Sequence, residues 1–227
     1  MPRTLQWPAR RSQRPIAQVV TQEILELLGR VPVLAIGTVD DAGQAENAAR
    51  ALLAGGLSCI EIVFRSDAAA DAIERLASID GLLVGAGTLL TVAQVETAVR
   101  AGARFGVSPA LDEEVVAACR EYGLPFIPGV ATPSEIQRAR TFGIGVVKLF
   151  PASQLGGPAF VRAVSPVFPG IRFVPTGGID AQAVSSYLAL PAVLACGGTW
   201  ILRPELLGAG RFDEVERLAR EAAELGR

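Results

Sequence analysis

Residues 144–165, IGVVKLFPASQLGGPAFVRAVS, show the pattern that decides the fold. The run 144–150 is apolar except for one lysine, and the stretch 156–165 has helical character. A continuous apolar run of this length is typical of a strand that is covered on both faces, as in a parallel sheet. The segment therefore predicts one β/α unit with Lys148 inside its strand.

The same pattern recurs along the chain. Apolar runs occupy residues 31–36, 58–64, 81–86, 104–108, 124–128, 144–150, 171–175 and 192–196, and stretches of helical character follow at 40–55, 67–78, 91–102, 112–122, 132–142, 156–165, 180–188 and 213–225. Regular alternation predicts parallel β/α units, and eight of them indicate a closed barrel rather than an open sheet. We therefore predict an α/β fold, a (β/α)₈ TIM barrel.

Helix-boundary residues support this phasing. Thr91, Asp112 and Thr132 stand where N-caps belong, and Thr132 is followed by a first-turn proline and by a glutamate three positions on. Three glycines, Gly102, Gly123 and Gly143, stand where helices should end.

The chain is predicted to hold one domain with an N-terminal arm. Residues 18–29 look like an extra helix that caps the bottom of the barrel, and residues 18–227 form the predicted single domain. Residues 1–17 contain four arginines and three prolines without a following apolar region, which argues against a signal peptide. We interpret them as a flexible arm.

Composition excludes several functional classes. The net charge of −2 and the pI of about 5.4 give no electrostatic case for nucleic acid. No apolar run approaches the ~20 residues of a membrane span. The three cysteines are far apart and the chain has no histidine, so no zinc site and no other metal site is expected, and unpaired thiols suit the cytoplasm. No nucleotide-binding fingerprint occurs, and we expect no cofactor.

Lys148 is the strongest catalytic candidate. The chain contains 20 arginines and this one lysine. A bias toward arginine explains why surface lysines are scarce, but not why one lysine survives inside an apolar strand. Lysine, unlike arginine, can lose its proton when desolvated and act as an amine nucleophile. The alternative is a structural lysine in a salt bridge.

Polar residues that interrupt or follow the other strands give further candidates. Glu61 interrupts the second run, and side-chain alternation puts it on one face with Val63 and Arg65. A buried carboxylate needs a partner, and Lys148, which shares a face with Phe150, is the obvious one. A purely structural ion pair stays open. Thr88 follows the third run, and Ser108 and Pro109 follow the fourth.

Glycine pairs follow the last two strands. Thr176 leads into Gly177-Gly178, and the eighth run leads into Gly197-Gly198-Thr199. In (β/α)₈ barrels these two loops often bind phosphate through backbone N–H groups. The two pairs therefore indicate an anion site.

Taken together, these motifs resemble the 2-keto-3-deoxy-6-phosphogluconate (KDPG) aldolase family over about residues 31 to 225. The motifs are Glu61-Ile62-Val63-Phe64-Arg65, Gly85-Ala86-Gly87-Thr88, Ser108-Pro109, Ile127-Pro128-Gly129, Lys148-Leu149-Phe150-Pro151-Ala152, Pro175-Thr176-Gly177-Gly178-Ile179 and Gly197-Gly198-Thr199-Trp200. The resemblance implies a metal-independent class I aldolase, a lyase that cleaves KDPG to pyruvate and glyceraldehyde 3-phosphate in the Entner–Doudoroff route of carbohydrate metabolism. It also implies a homotrimer.

The resemblance implies a role for each matching residue. Lys148 would form the Schiff base and Glu61 would be the general acid and base. Arg65 and Thr88 would hold the substrate carboxylate, and Pro109 and Phe150 would line the pocket for the pyruvyl methyl group. The remaining matches would bind the substrate and its phosphate: Thr176, Gly177, Gly178, Gly197, Gly198 and Thr199.

One departure concerns the end of the first strand. Relatives often carry a basic residue there, whereas this chain has Gly37 and Thr38. One substrate contact is therefore lost or supplied elsewhere.

Three alternatives stay open from the sequence. The same chemistry could act on 4-hydroxy-2-oxoglutarate, giving pyruvate and glyoxylate, or on the galactonate epimer of KDPG. A phosphosugar isomerase or synthase would use Lys148 as an electrostatic clamp and would form no covalent adduct with pyruvate. A non-catalytic phosphosugar-binding barrel would bind without turnover.

Overall fold

The computed structural model of the chain describes residues 25–26, 28–29 and 31–225. The predicted arm, residues 1–17, lies outside the described residues, as does most of the predicted first helix, residues 18–29. In the described part of that segment, Leu25, Glu26 and Leu28 are helical.

Short parallel strands form the sheet. Within the described residues they are β1 (Val33–Gly37), β2 (Cys59–Val63), β3 (Leu83–Gly87), β4 (Phe105–Val107), β5 (Phe126–Ile127), β6 (Gly129–Val130), β7 (Val146–Leu149), β8 (Arg172–Pro175) and β9 (Cys196–Gly198). They pair in the orders β5-β4-β3-β2-β1-β9 and β6-β7-β8. Only Pro128 separates β5 from β6, and Thr176, just after β8, bridges to Gly197 in β9. The strands therefore close a ring with eight positions, which confirms the predicted barrel.

Helices follow the strands around the ring. They are α1 (Ala42–Ala54), α2 (Ala69–Ala77), α3 (Val92–Arg100), α4 (Glu113–Glu121), α5 (Pro133–Thr141), α6 (Gly157–Val164), α7 (Ala181–Leu188), α8 (Pro204–Gly208) and α9 (Phe212–Glu224). The three predicted N-caps are confirmed, and Thr132 and Glu135 form a complete capping box. The three predicted terminal glycines have positive φ, as a helix C-terminus requires.

Side-chain alternation along the strands produces two apolar layers. One layer fills the barrel interior and includes Leu34, Cys59, Phe105 and Val146. The other lies between strands and helices and includes Ile60. Because odd-numbered residues of β2 and even-numbered residues of β7 face the interior, Glu61 and Lys148 must both point into the barrel.

Two strand predictions are wrong in detail. The eighth strand is predicted at residues 192–196, but β9 spans Cys196–Gly198, and Val193 makes only an isolated bridge to Phe173. The apolar run thus precedes a strand that is mostly glycine, a residue with little strand propensity. The fifth strand, predicted as one run over 124–128, is split at Pro128, which has no N–H for the ladder. The Pro128 carbonyl instead accepts the backbone N–H of Lys148 at 2.9 Å.

Candidate active site

A cavity of about 370 Å³ opens at the carboxyl ends of the barrel strands. It is lined by Ile36, Thr38, Glu61, Val63, Arg65, Thr88, Lys148, Phe150, Thr176, Gly177, Thr199, Leu202 and Pro204. This end of the barrel is where enzymes of this fold carry their active sites. Eight of the predicted site residues therefore meet in one cavity.

Lys148 and Glu61 form a buried pair at the cavity floor. The Lys148 Nζ lies 3.3 Å from the Glu61 Oε1, and the two side chains are 8% and 1% exposed. The predicted contact between these residues is thus present. Burying two opposite charges costs much of what their attraction returns, so such a pair is weak evidence for a stabilising role.

The second carboxylate oxygen of Glu61 has no partner in the described part of the chain. Its Oε2 is buried and makes no hydrogen bond there. An unpaired buried acceptor costs about 1–3 kcal/mol, and most buried polar atoms in proteins avoid this cost. The oxygen is therefore available to a hydrogen-bond donor that enters the cavity.

Phe150 forms an apolar wall beside the amine. The Lys148 Nζ lies 5.6 Å from the centroid of the Phe150 ring. The ring therefore presents an apolar surface on one side of the amine.

Thr88 occupies the cavity wall with a strained backbone. Its φ is 60°, the left-handed region that β-branched residues rarely adopt. This conformation costs on the order of 1–3 kcal/mol, and such strain often occurs at functional sites. Thr88 and the exposed Arg65 together provide a hydroxyl and a guanidinium at the mouth of the cavity.

The predicted phosphate-binding residues fall into two groups. One group lies at or beside the cavity, and the other, Gly197 and Gly198, is buried behind it. Gly177 and Thr199 line the cavity, and Gly178 is exposed beside Ser153, next to Gly177. Both Gly177 and Gly178 have positive φ, 99° and 68°, so the turn after β8 depends on glycine. Their backbone can approach a ligand closely, because no side chain intervenes.

Four predicted residues do not line the cavity: Gly178 beside it, and Gly197, Gly198 and Pro109. Gly197 is buried, and a Cβ added to it would lie 2.2 Å from the Thr176 hydroxyl. Gly198 is covered by the Trp200 ring, 2.2 Å from where its Cβ would be. The carbonyl of Pro109 packs against Gly129.

The structure adds a wall that the sequence does not reveal. Ile36, Thr38, Leu202 and Pro204 line the side of the cavity formed by β1 and the start of α8. Gly37 belongs to β1, but a Cβ on it would lie 3.0 Å from a Leu202 methyl group. Position 38, and not position 37, therefore faces the cavity at the end of β1. Proline at the first turn of α8 is a sequence signal that could have located this helix.

Cysteine does not compete with lysine as a nucleophile. Burial, and then the nearby charge of Glu61, raise the pKa of the Cys59 thiol far above its ordinary value. Burial also raises the pKa of Cys119 and of Cys196, each to about 12. Because the thiolate is the reactive form, these thiols are inert near neutral pH.

Comparison with known proteins gives a consistent set of matches. A family model described as "KDPG and KHG aldolase" matches residues 22–218. The 2-dehydro-3-deoxy-phosphogluconate aldolase of Treponema pallidum is 44% identical over 203 residues, which are 89% of this chain and 97% of that protein. The KHG/KDPG aldolase of Escherichia coli K12 is 39% identical over 194 residues, 85% of this chain and 91% of that protein.

Solved structures of such aldolases share the fold. A KDPG aldolase from Legionella pneumophila, with pyruvate captured at low pH as a covalent carbinolamine intermediate, has a TM-score of 0.85 at 34% identity and covers 88% of this chain and 97% of its own. An aldolase from Zymomonas mobilis ZM4 with 3-phosphoglycerate has a TM-score of 0.83 at 32% identity, covering 89% and 96%. No helix among the described residues is long and apolar enough to cross a membrane.

Proposed function

Because the chain belongs to the KDPG and KHG aldolase family, we propose that it cleaves KDPG to pyruvate and glyceraldehyde 3-phosphate through a Schiff base on Lys148. The observation that carries this assignment is the buried contact of the single lysine with Glu61, 3.3 Å apart at the floor of the cavity. An amine nucleophile needs a proton carrier within hydrogen-bond reach, and among the described residues that line this cavity the carboxylate is Glu61.

The reaction begins with attack on the substrate ketone. Lys148 passes a proton to Glu61, its neutral amine adds to C2 to form a carbinolamine, and Glu61 returns the proton with which the hydroxyl leaves as water. The product is an iminium ion. Arg65 and Thr88 hold the substrate carboxylate during these steps, because they provide the guanidinium and hydroxyl donors at this part of the wall.

Cleavage uses the iminium ion as an electron sink. Glu61 accepts the proton of the C4 hydroxyl, the C3–C4 bond breaks, and its electron pair moves into the iminium to form an enamine. The aldehyde leaves. Glu61 then returns a proton to C3, and water hydrolyses the new iminium to release pyruvate and the free amine. Phe150 keeps the region around the methyl carbon apolar.

The aldehyde end of the substrate extends toward the glycine loops. Phosphate would accept hydrogen bonds from backbone N–H groups at Gly177 and Gly178 and from the Thr199 hydroxyl. Thr176 lies below them as a further hydroxyl, and buried Gly197 and Gly198 give these loops their close packing.

The uncharged wall of the cavity, formed by Ile36, Thr38, Leu202 and Pro204, favours KDPG over 4-hydroxy-2-oxoglutarate. Among the described residues that line the cavity, the cations are Lys148 and Arg65. KDPG carries a neutral carbinol beyond C4 and its phosphate at C6. 4-Hydroxy-2-oxoglutarate carries a second carboxylate directly on C4, which would face Thr38, Leu202 and Pro204 without a cation. We therefore assign the phosphorylated substrate as the better one.

The assembly, location and domain organisation are further parts of the proposal. The resemblance supports a homotrimer, and three buried free thiols suit the reducing cytoplasm. One domain over residues 18–227, preceded by an arm over 1–17, agrees with the family match, which spans residues 22–218.

Borohydride trapping tests the proposal. Reduction in the presence of pyruvate converts the iminium into a stable secondary amine, and peptide mass spectrometry should find that adduct on Lys148. Lys148→Arg, which keeps the charge but not the nucleophile, should neither be labelled nor cleave KDPG. A wild-type enzyme that cleaves KDPG but carries no adduct would refute the Schiff base. A folded wild-type enzyme with neither adduct nor cleavage would favour an isomerase or synthase.

A further inference from the structure

On the interior face of β3, Gly87 has no side chain. The Glu61 side chain occupies the space that a side chain at this position would fill. A Cβ added to Gly87 would lie 2.1 Å from the Glu61 Oε1, 2.6 Å from its Cγ and 2.7 Å from its Cδ. This Oε1 is the oxygen that lies 3.3 Å from the Lys148 Nζ. The carboxylate therefore reaches the amine by lying directly on the Gly87 backbone.

The backbone at Gly87 does not itself require glycine. Gly87 is absent from the described residues with positive φ, which include Gly102, Gly123 and the neighbouring Thr88. Alanine could adopt its conformation without strain. Glycine is therefore needed here because the Glu61 side chain fills the space next to it, and not because of the backbone conformation.

We infer that Gly87 is a positioning residue for the proton carrier, an inference that rests on the proposed function. Its missing side chain sets the position of the Glu61 carboxylate relative to Lys148. Glu61 stands opposite Gly85 in the strand register, and its side chain extends along β3 to Gly87. Any side chain at 87 would push the carboxylate away from the amine.

Gly87→Ala should damage catalysis without destroying the barrel. The first atom that the new methyl group meets is the end of a flexible side chain, so the carboxylate can move while the strands stay in place. A displacement of about 1 Å in a reacting group can cost about 10²-fold in rate. We expect kcat for KDPG and the rate of methyl-proton exchange in pyruvate to fall together by about this factor, with a smaller change in KM.

Gly106→Ala is the matched control. Gly106 is a buried glycine of β4 without positive φ, and its added Cβ would meet the side chains of Leu89 and Leu124 at 2.9 and 3.0 Å. It should lower the melting temperature as alanine does in any tight strand position. It should leave kcat and the exchange rate unchanged, because it lies away from Glu61.

A second background keeps the inference testable if Gly87→Ala is poorly folded. Glu61→Ala removes the group that the new methyl would strike. The loss of melting temperature caused by Gly87→Ala should therefore be much smaller in Glu61→Ala than in the wild type. Equal losses in both backgrounds, or a folded Gly87→Ala enzyme with normal kcat and exchange, would overturn the inference. An unlabelled Lys148 in the borohydride experiment on the wild type would instead overturn the proposed function.

Discussion

Replacing Glu61 by glutamine separates a proton carrier from a structural ion pair. The two side chains have nearly the same shape, and the amide can still accept a hydrogen bond from Lys148. What the variant loses is the ability to take up and release a proton. Glu61 is fully buried, so bulk solvent has little access to the position of its carboxylate.

The two roles predict losses of similar size in different measurements. Breaking a buried ion pair by removing one partner costs about 3–5 kcal/mol of unfolding free energy. Removing a general acid–base group costs about 10²–10⁴-fold in rate, which is about 3–5 kcal/mol of activation free energy. A structural role therefore appears in denaturant unfolding, and a catalytic role appears in kcat.

We expect a folded Glu61→Gln enzyme with kcat reduced by about 10²–10⁴-fold. Exchange of the pyruvate methyl protons, followed by NMR in deuterated water, should collapse as well, because it needs the same base at the iminium. Borohydride should still label Lys148, though more slowly, since iminium formation also requires proton transfers. Glu46→Gln, which removes the same charge from an exposed pair with Arg50, should leave all three measurements unchanged.

A folded Glu61→Gln enzyme with near-normal cleavage and exchange would remove Glu61 from the mechanism. The chain has no histidine that could take its place. The proton carrier would then have to be a water molecule held by Thr88 or Thr176, two of the four threonines among the described residues that line the cavity.

Three further predictions concern the anion site, the uncharged wall and the buried thiols. Thr199→Asp should raise KM for KDPG at least about tenfold relative to Thr199→Asn, through like-charge repulsion of phosphate, and should affect 4-hydroxy-2-oxoglutarate much less; equal effects on both substrates would refute the anion site. Thr38→Arg, compared with Thr38→Gln, should raise kcat/KM for 4-hydroxy-2-oxoglutarate by supplying a cation at the wall, and no gain would contradict the explanation of substrate preference. Burial raises the pKa of Cys119 from 9.0 to about 12, so the unfolded chain loses this proton at a lower pH than the folded protein. The unfolding free energy should therefore fall above pH 9 by about 1.4 kcal/mol per pH unit for each such thiol. Cys119→Ala should reduce that slope in urea titrations, and an unchanged slope would show that the thiol is not protected.

The barrel could be predicted from sequence because each of its parts leaves a local signal. Strands buried on both faces are continuous apolar runs, and helices such as α5 begin at a cap like Thr132. The misplaced eighth strand shows the limit of this signal. In β9 the residues are a cysteine and two glycines, so the strand is formed by backbone pairing with β1, which no side-chain pattern reports.

The contact between Glu61 and Lys148 was predictable for a related reason. Side-chain alternation along β2 and β7 determines that Glu61 and Lys148 both face the barrel interior. A buried charge is costly unless it is paired, so two opposite charges in an apolar interior are expected to make contact. The uncharged wall was not predictable, since Leu202 and Pro204 follow β9 by several residues and approach Thr38 only because the ring closes between β9 and β1. Loop residues meet in space by tertiary closure, which periodicity does not report.

The distribution of buried polar groups argues for a functional rather than a stabilising origin of the pair. Among the described residues, the buried polar or charged side chains are Glu61, Ser108, Lys148 and Thr176. Three of these four line the cavity, whereas apolar residues such as Leu34, Phe105 and Val146 fill the interior. A barrel selected for stability alone would gain from apolar side chains at these positions too, because replacing a buried ion pair by well-packed hydrophobic residues is often neutral or stabilising. The cost is retained at the cavity, and there it leaves an amine and a carboxylate in contact beside the Phe150 ring.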